Sequence, residues 1–526
     1  MPKPVYIAGV GLTKVDLTGR VFGSVFDLFA EAFEKALADS RVRSFGALQV
    51  GIMDSEEFEN RANIAAKLAD RLGLRGVPAV RTETASSTGA AAFHEACHKV
   101  ASGACESVLV LAGERMKTVT TEVATAIMSK TVDPEERRFG FTMPALIALV
   151  TRAWLAERGI DALRSREILA RLMWRAHALG AENPLAAFYG RPEPLSAYFD
   201  VARNLPVATP LTRKDCSPIC DGAAAVIVTA RPAAIRVAGL GSATESSSVL
   251  DRAALDHLDA TRQAARIAYF QAGIANPRQL AGLVVEAHDA FNSLLPIDLA
   301  DLGLTDADEA VEALVGTLAA APRDPLAHPL TGIRGRAPTN LSGGLKARGH
   351  PVGGTGLFQI AECALQLMER FPNPRAQVAR ATLGIAHSIG GPGNNVYVTV
   401  IERADSRRRP ERVAAPRQSF GKDGGVPLRT DPRSLEGARG ELLAMTTIHV
   451  TAGPPARPIP VAVVQVDGQR HLAQLDPAAA ADLPPEGELA GLRVRLALGP
   501  DGLPCFRPEA GPALVRWVDR VRERMG

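Results

Sequence analysis

An internal repeat constrains the fold of this 526-residue chain more than any other feature of its sequence. Residues 7–11 read Ile-Ala-Gly-Val-Gly and residues 237–241 read Val-Ala-Gly-Leu-Gly. Each is typical of a buried strand that runs into a glycine turn. In both copies a helix with apolar periodicity and a short buried strand follow: Val25–Leu37 and Leu48–Met53 in the first, Leu258–Gln271 and Gly282–Glu286 in the second.

A second pair of similar segments follows in the same order. Ser87–Phe93 and Gly354–Ile360 each open a helix, and the buried strands Ser107–Ala112 and Ala381–Ala386 come after them. Two similarities in one order favour duplication over chance. The sequence therefore predicts an α/β fold of two βαβ-rich halves, each with a mostly parallel sheet covered by helices.

The remaining sequence divides around these halves, as the length of the chain leads us to expect. Residues 1–115 and 216–232 are predicted to form the N-terminal half, 116–215 a helical insertion, 233–401 the C-terminal half, 402–435 a linker and 436–526 a separate domain. The linker is assigned because it is rich in Arg, Pro and Gly and has few apolar clusters.

The last domain has the pattern of a small antiparallel β-barrel. Short alternating segments predict four strands, with hairpin turns at residues 467–468 and 500–502. A helix at Ala513–Arg524 is predicted to close the barrel. The predicted strands are Glu441–Val450, Ile459–Val466, Arg470–Leu475 and Leu492–Leu498.

The charge balance, the N-terminal sequence and the cysteine spacing argue against several kinds of partner and site. Lys and Arg number 60 against 57 Asp and Glu, a formal charge of +3, which gives no reason to expect a nucleic-acid or membrane partner. The N-terminus lacks a signal-peptide layout, and no run of about 18 apolar residues suggests a membrane span. Six cysteines without disulfide or zinc spacing predict free thiols, no metal site and a cytoplasmic protein.

Two serines precede the first repeated helix. Ser86 and Ser87 lie between the apolar stretch Val77–Val80 and the helix that opens at Gly89. A hydroxyl at a helix N-terminus faces amide donors and a dipole that favour developing negative charge. The alternative is that one of these serines is simply an N-cap.

Two histidines stand where α/β sheets place functional groups. His288 directly follows a buried strand and is next to Asp289, so it could be an oxyanion donor or a surface histidine satisfied by that carboxylate. His350 lies in the stretch 340–356, whose many glycines allow tight turns and a close ligand. The alternative there is a plain glycine-rich loop. A third glycine-rich segment, residues 387–395, could present backbone N–H groups to an oxyanion.

Taken in this order and spacing, these segments resemble the thiolases, specifically the sterol-carrier-associated and archaeal type. The resemblance runs from about residue 4 to 401 and rests mainly on the blocks Gly349-His350-Pro351 and His288-Asp289-Ala290-Phe291. Within the insertion, residues 174–184 and 210–216 resemble the family's coenzyme-A-covering loop domain. The resemblance implies a five-layered αβαβα fold, and the tail is similar to the OB-type barrel that accompanies some thiolase-like proteins.

The resemblance also implies roles for individual residues. His350 would activate the nucleophile and polarise the thioester carbonyl, and His288 would hold an ordered water in the same oxyanion hole. The backbone N–H groups of Ser86 and Gly390 would form a second oxyanion hole. Ser342 and Gly343 would lie along the pantetheine tunnel.

The chain departs from the family at its cysteines. Ser86 stands where the family has its nucleophilic cysteine, and the two alternative positions of the acid/base cysteine are Ala290 and Ser388. A serine hydroxyl is far less acidic than a thiol and needs a strong, well-oriented base. An acyl group passed to serine becomes an oxyester, from which return to coenzyme A is uphill.

The sequence is compatible with two functions. The first is an enzyme on acyl-CoA with weak or no thiolase activity, either an acyltransferase through Ser86 or a lyase that cleaves a β-hydroxyacyl-CoA by retro-aldol chemistry. The second is a non-catalytic acyl-CoA-binding scaffold whose barrel recruits a partner. In both, acyl-CoA is the ligand and no cofactor is tightly bound. The family's pairing strand, here about Val77–Thr84, implies a homodimer, with a monomer as the alternative.

Overall fold

The computed structural model describes residues 3–200, 202–307, 309–310, 324–416, 431–451, 458–477, 479 and 491–509. The first half begins with alternating strands and helices, as its repeated pattern predicts. Its elements are β1 Tyr6–Leu12, α1 Val25–Asp39, β2 Ala47–Gly51, α2 Ser55–Glu59, α3 Ile64–Arg71, β3 Ala79–Thr82, α4 Thr88–Ala101 and β4 Ser107–Arg115.

A mostly helical insertion follows β4 before the first half resumes. Its elements are α5 Thr121–Met128, α6 Pro134–Arg138, α7 Met143–Glu157, α8 Ala162–Gly180 and the short strands β5 Pro206–Ala208 and β6 Leu211–Thr212. The first half is completed by β7 Asp221–Thr229, and its strands lie in the order β3-β2-β4-β7-β1.

The second half repeats this arrangement. Its elements are β8 Ile235–Thr244, α9 Asp259–Ala272, β9 Leu283–Glu286, α10 Leu294–Asp301, α11 Gly344–Ala347, α12 Thr355–Leu367, β10 Leu383–Gly390 and β11 Asn395–Arg403. The strand order β9-β10-β11-β8 matches that of the first half, and Thr339 bridges Val285 in parallel at the place equivalent to β3. The duplication predicted from the sequence is therefore confirmed.

Five layers result from this duplication. Helix α1 packs on one sheet and α9 on the other, and α4 and α12 pack against each other between the two sheets. The two central helices meet at glycines, because a Cβ on Gly89 would lie 2.7 Å from the Leu357 nitrogen and one on Gly356 would lie 2.6 Å from the Ala90 nitrogen. Small residues here allow the N-termini of both helices to approach one another closely.

The expectation that each sheet is mostly parallel is wrong. Strands β2–β3, β2–β4 and β9–β10 pair in parallel, but β7 and β11 pair antiparallel with both of their neighbours. The connection from β10 to β11 spans only residues 391–394, and a connection this short cannot make the crossover that a parallel pair requires. An antiparallel contact between β1 and β8 joins the two sheets into one of nine strands.

The C-terminal domain is a closed five-stranded barrel of the OB type. Its strands are β12 Arg439–Ile448, β13 Ile459–Val466, β14 Gln469–Leu475, β15 Arg493–Leu498 and β16 Pro504–Pro508. The barrel closes because β12 pairs with both β13 and β15. It is not fully antiparallel, since β14 and β16 pair in parallel. The sequence did not predict β16, and the helix expected at Ala513–Arg524 lies outside the described residues.

The described residues have neither a helix suited to span a membrane nor a cluster of side chains suited to bind a metal ion. Among those residues, no helix combines the length and apolar character needed to cross a membrane. The same residues contain no group of three or more His, Cys, Asp or Glu side chains placed to hold a metal ion.

Candidate active site

Ser86 lies in a tight loop at the N-terminus of α4. Ala85 before it has a left-handed backbone, with φ +52°. The Thr84 N–H donates to the Thr88 hydroxyl over 2.8 Å, and the Ser87 hydroxyl donates to the Thr84 carbonyl over 2.8 Å. Ser87 is fully buried and occupies the N-cap position without a side-chain cap bond, so the loop leaves the side chain of Ser86 free for the site.

His350 lies in the loop before α12, the helix equivalent to α4. Its Nδ1 is 2.6 Å from the Thr355 hydroxyl, which donates to the Pro351 carbonyl over 3.1 Å. Because that hydroxyl has a single proton, Nδ1 carries the imidazole hydrogen and Nε2 keeps its lone pair. Thr355 and Thr88 are equivalent in the repeat, and each anchors the loop before its helix.

His288 follows β9 and meets His350 at close range. The ring centroids are 5.3 Å apart and the rings are nearly perpendicular, at 88°. His288 is buried, and its Nδ1 has no hydrogen-bond partner among the described residues. Asp289 instead accepts from the Leu345 N–H over 2.7 Å. The alternative of a surface histidine satisfied by Asp289 is therefore wrong.

Ser86, His288 and His350 line one narrow cavity of about 50 Å³. Most of the remaining wall is apolar and comes from distant parts of the chain. These apolar residues are Met53, Met128, Met143, Ile147, Val352, Leu258, Phe291, Leu294 and Ile389. The sequence motifs include Phe291, Val352 and Ile389. They miss Met128, Met143 and Ile147, because α5 and α7 carry only the ordinary apolar pattern of packed helices and no local motif.

Both imidazoles are held in the neutral form. Burial lowers the pKa of His350 to about 3, and the nearby Arg348 guanidinium acts in the same direction. Burial also lowers the pKa of His288 well below its ordinary value, followed by the effect of His350 itself. A neutral imidazole has one nitrogen that can accept a proton and one N–H that can donate a hydrogen bond.

Ala290 and Ser388, where the resemblance leads us to expect an acid/base cysteine, have side chains that do not ionise as a thiol does. Ala290 lines the cavity. The Ser388 hydroxyl contacts the loop that carries Ser86 and donates to the Ser86 carbonyl over 3.4 Å. Gly390 ends β10 against the same loop, since a Cβ there would lie 2.4 Å from the Thr84 carbonyl oxygen and 2.5 Å from the Ser87 hydroxyl.

A buried ionic cluster supports both histidine loops. Arg348, which is completely buried, pairs with Glu362 through Nε at 3.1 Å. Burial raises the pKa of Glu286 well above its usual range, and the charge of Glu362 raises it further. Glu286 and Arg348 each stand two residues before a site histidine. Protonation of Glu286 would remove one buried negative charge beside the Arg348–Glu362 pair and so lower the cost of burying the cluster.

Ser342 and Gly343 lie on the far side of this cluster. The Ser342 hydroxyl donates to Glu286 over 3.0 Å and accepts from the Gly344 N–H over 3.1 Å. Gly343 has φ +99°, and a Cβ there would lie 2.8 Å from the Gly180 nitrogen at the end of α8. Neither residue lines the cavity around Ser86. They join the insertion to the glycine-rich loop.

Two family profiles match the chain, in agreement with the two halves of the fold. Residues 5–190 match "Thiolase, N-terminal domain" and residues 241–403 match "Thiolase C-terminal domain-like". The acetyl-CoA acetyltransferase of Methanothermobacter thermautotrophicus is 33% identical over 416 residues, which are 76% of this chain and 100% of that protein.

Solved structures share the fold at lower sequence identity. A monomeric SCP2-thiolase like protein type 1 from Mycobacterium smegmatis has a TM-score of 0.71 and is 18% identical, covering 97% of this chain and all of its own. The Ltp2-ChsH2(DUF35) aldolase has a TM-score of 0.60 and is 19% identical, covering 77% of this chain and 99% of its own.

Proposed function

The chain belongs to the thiolase superfamily, and from this premise we propose that it binds acyl-CoA and processes a carbon–carbon bond beside the thioester, with weak or no thiolase activity. One observation carries the proposal. Two neutral imidazoles face one cavity with a serine at the nucleophile position. Such a site keeps the groups that stabilise an enolate and lacks a thiol to carry the acyl group.

A retro-aldol cleavage needs only these groups. In a bound β-hydroxyacyl-CoA, Nε2 of His350 would take the proton of the β-hydroxyl group. The Cα–Cβ bond would break, its electron pair would form the enolate of the thioester, and His288 would donate a hydrogen bond to the enolate oxygen. Return of the proton to Cα would give a shorter acyl-CoA and a ketone or aldehyde, without any further reagent.

Acyl transfer through Ser86 is the second reaction open to the same groups. His350 would take the Ser86 proton and the hydroxyl oxygen would attack the thioester carbon. The C–S bond would break, and the coenzyme A thiolate would take the proton from His350 and leave as the thiol. The product is an oxyester, whose return to coenzyme A is uphill. We therefore expect an acyl-serine to form slowly and to turn over poorly.

Cleavage of 3-hydroxy-3-methylbutyryl-CoA to acetyl-CoA and acetone tests the lyase reaction. We expect His350→Ala to lower the rate by about 100-fold or more, as loss of a general base does. Ser86→Ala should keep most of the rate. His98→Ala, which removes an exposed histidine of α4, is the matched control. No cleavage by the full-length protein, or equal loss in Ser86→Ala, would contradict the lyase proposal.

Ser86→Cys tests whether the loss of the thiol limits thiolysis. With acetoacetyl-CoA and coenzyme A as substrates, we expect the natural protein to be slow and the cysteine variant to gain thiolase activity. Turnover by the natural protein at ordinary thiolase rates would show that the serine is not limiting.

A non-catalytic acyl-CoA receptor is the second candidate function. The observation in its favour is that Ser86 and Ala290 replace both reactive groups while a barrel is fused to the fold. Titration calorimetry with coenzyme A and acyl-CoA separates the cases. Binding without turnover of either test substrate supports the receptor, and absence of binding at millimolar concentration excludes both candidates.

The names of the similar proteins support the reaction classes without selecting one. One relative is named as an acetyltransferase and one structural neighbour as an aldolase. The homodimer remains a prediction from family resemblance, and the neighbour described as monomeric supports the alternative. Light scattering will distinguish a mass near 55.5 kDa from twice that value. The cytoplasmic location and the absence of a tightly bound cofactor also remain proposals.

A further inference from the structure

The C-terminal barrel contacts a segment of the second half that borders the candidate site. The guanidinium of Arg470 on β14 donates to the carbonyls of Arg252 and Ala253, the latter over 3.1 Å. Strand β14 also contacts the turn Val249–Asp251. The same segment leads to Leu258, whose side chain lines the cavity.

Arg252 connects the barrel contact to the candidate site. Its side chain is only 3% exposed, and its Nη2 donates to the Pro392 carbonyl over 2.8 Å. Pro392 lines the cavity and lies in the turn between β10 and β11. A Cβ on Gly393, which has φ +109°, would lie 3.4 Å from Nη1 of Arg252. The guanidinium therefore packs directly against the turn that follows Gly390.

The segment is tethered from the insertion as well as from the barrel. Glu136 of α6 accepts from the Ser248 hydroxyl over 3.0 Å and from the Val249 N–H over 2.7 Å. Glu136 and Glu245 also act electrostatically on the Arg252 guanidinium and offset part of the cost of burying it. Contacts with the insertion and with the barrel fix the backbone of residues 248–252. This segment can therefore hold the Arg252 side chain in one position.

A second contact links the barrel to another wall of the cavity. Strand β12 packs on α7, whose residues Met143 and Ile147 line the cavity. β12 also pairs with β5 of the insertion at Ile448 and Ala208, and the Thr446 hydroxyl donates to the Thr209 carbonyl over 2.8 Å. The barrel thus supports the site from two directions.

We propose that Arg470 and Arg252 are positioning residues through which the barrel holds the Gly391–Gly393 turn of the site. The barrel is then a structural part of the acyl-CoA pocket rather than an independent recruitment module. The inference rests on the proposed function only in taking this turn as part of the pocket. Its first readout therefore does not depend on catalysis.

Hydrogen–deuterium exchange on the full-length protein is that readout. For Arg470→Ala we expect faster exchange in residues 248–258 and 388–395. Arg507→Ala is the matched control, since Arg507 lies in the same domain and pairs there with Asp476. It should leave both segments unchanged. Unchanged exchange in Arg470→Ala, or the same increase in Arg507→Ala, would overturn the proposal. Arg470→Lys should restore part of the protection if a hydrogen bond to the carbonyls is what matters.

Kinetics separate positioning from general stability. With an active substrate, we expect Arg470→Ala and Arg252→Lys to lower kcat by about tenfold, as a small displacement of reacting groups does. KM should change little. A rise in KM at constant kcat, or equal effects from Arg507→Ala, would contradict a positioning role. If no substrate is turned over, the proposed lyase fails, and the exchange result still decides the present inference.

Discussion

At the scale of single residues, two threonines in equivalent places fix the loops of the site. Thr88 accepts from the Thr84 N–H before α4, and Thr355 binds Nδ1 of His350 before α12. The motifs identified Ser86, His288 and His350 from the sequence, because glycine and histidine blocks at strand ends are local signals. The threonines carry no such signal, since their role appears only when the two halves are aligned in space.

Thr355→Val should leave Nδ1 of a buried histidine without a partner. We expect the free energy of unfolding to fall by about 1–3 kcal/mol, the cost of an unsatisfied buried group. Urea unfolding of the variant measures this change. Thr125→Val on the exposed face of α5 is the control and should cost less, and equal losses in the two variants would contradict the assigned contact.

The neutral state of His350 predicts a pH dependence of stability. Burial lowers its pKa in the folded protein from 6.5 to about 3. Between these pH values the unfolded chain binds a proton at this residue and the folded protein does not. The stability that His350 contributes is therefore complete above pH 6.5 and is lost as the pH falls from there towards 3. Relative to His350→Gln, the natural protein should lose about 1.4 kcal/mol per pH unit in this window.

Urea unfolding of both proteins at pH 7, 6 and 5 measures this difference. The comparison isolates one group, because the other buried histidines and carboxyls are present in both proteins. A difference that stays constant with pH would show that the imidazole is hydrated or already protonated in the folded state.

At the scale of elements, apolar periodicity located β1, α1, β2, α4 and β4 and their counterparts β8, α9, β9, α12 and β10. It did not locate β11 or give the direction of every strand. Direction depends on the connection, and only the four-residue turn between β10 and β11 reveals the antiparallel pair. Strand β16 was missed because Pro504 and Pro508 bound a segment of only five residues. β5 and β6 were missed because strands this short exist only through pairing, here of β6 with β5 and of β5 with the distant β12.

Gly89→Ala tests the contact between the central helices. Alanine favours a helix by about 1 kcal/mol over glycine, but a Cβ placed 2.7 Å from the Leu357 nitrogen must push two backbones apart. Overpacking of this kind costs about 1–3 kcal/mol, so we expect a net loss of stability. Gly23→Ala, where the nearest atom is an oxygen of the exposed Asp27 carboxylate, is the control. A stabilised Gly89→Ala would contradict the close approach.

At the scale of the whole molecule, the barrel and the thiolase-like body share one apolar core. Ile448 and Val461 of the barrel belong to the same buried cluster as Leu146 of α7 and Val285 of β9. The sequence predicted a barrel behind a linker, which suggested a separable domain. Its attachment could not be foreseen, because alternation along a strand does not show what the outer face of a barrel packs against.

Ile448→Ala tests this shared core. The side chain is fully buried, and its loss should lower the free energy of unfolding by about 2–5 kcal/mol. We expect scanning calorimetry of the natural protein to give a single unfolding transition. We expect the variant also to give one transition, at a lower midpoint temperature. Two well-separated transitions in the natural protein would show that the barrel unfolds independently.

The glycine contact between α4 and α12 has a consequence for how this pocket can change over time. The Ser86 hydroxyl and the His350 imidazole belong to different halves of the repeated fold, and their separation is set where Gly89 and Gly356 let two backbones touch. A substitution in either half that slides its central helix alters the gap across the pocket. A substitution that moves the central helix of one half therefore requires a compensating substitution in the other half to keep the pocket unchanged.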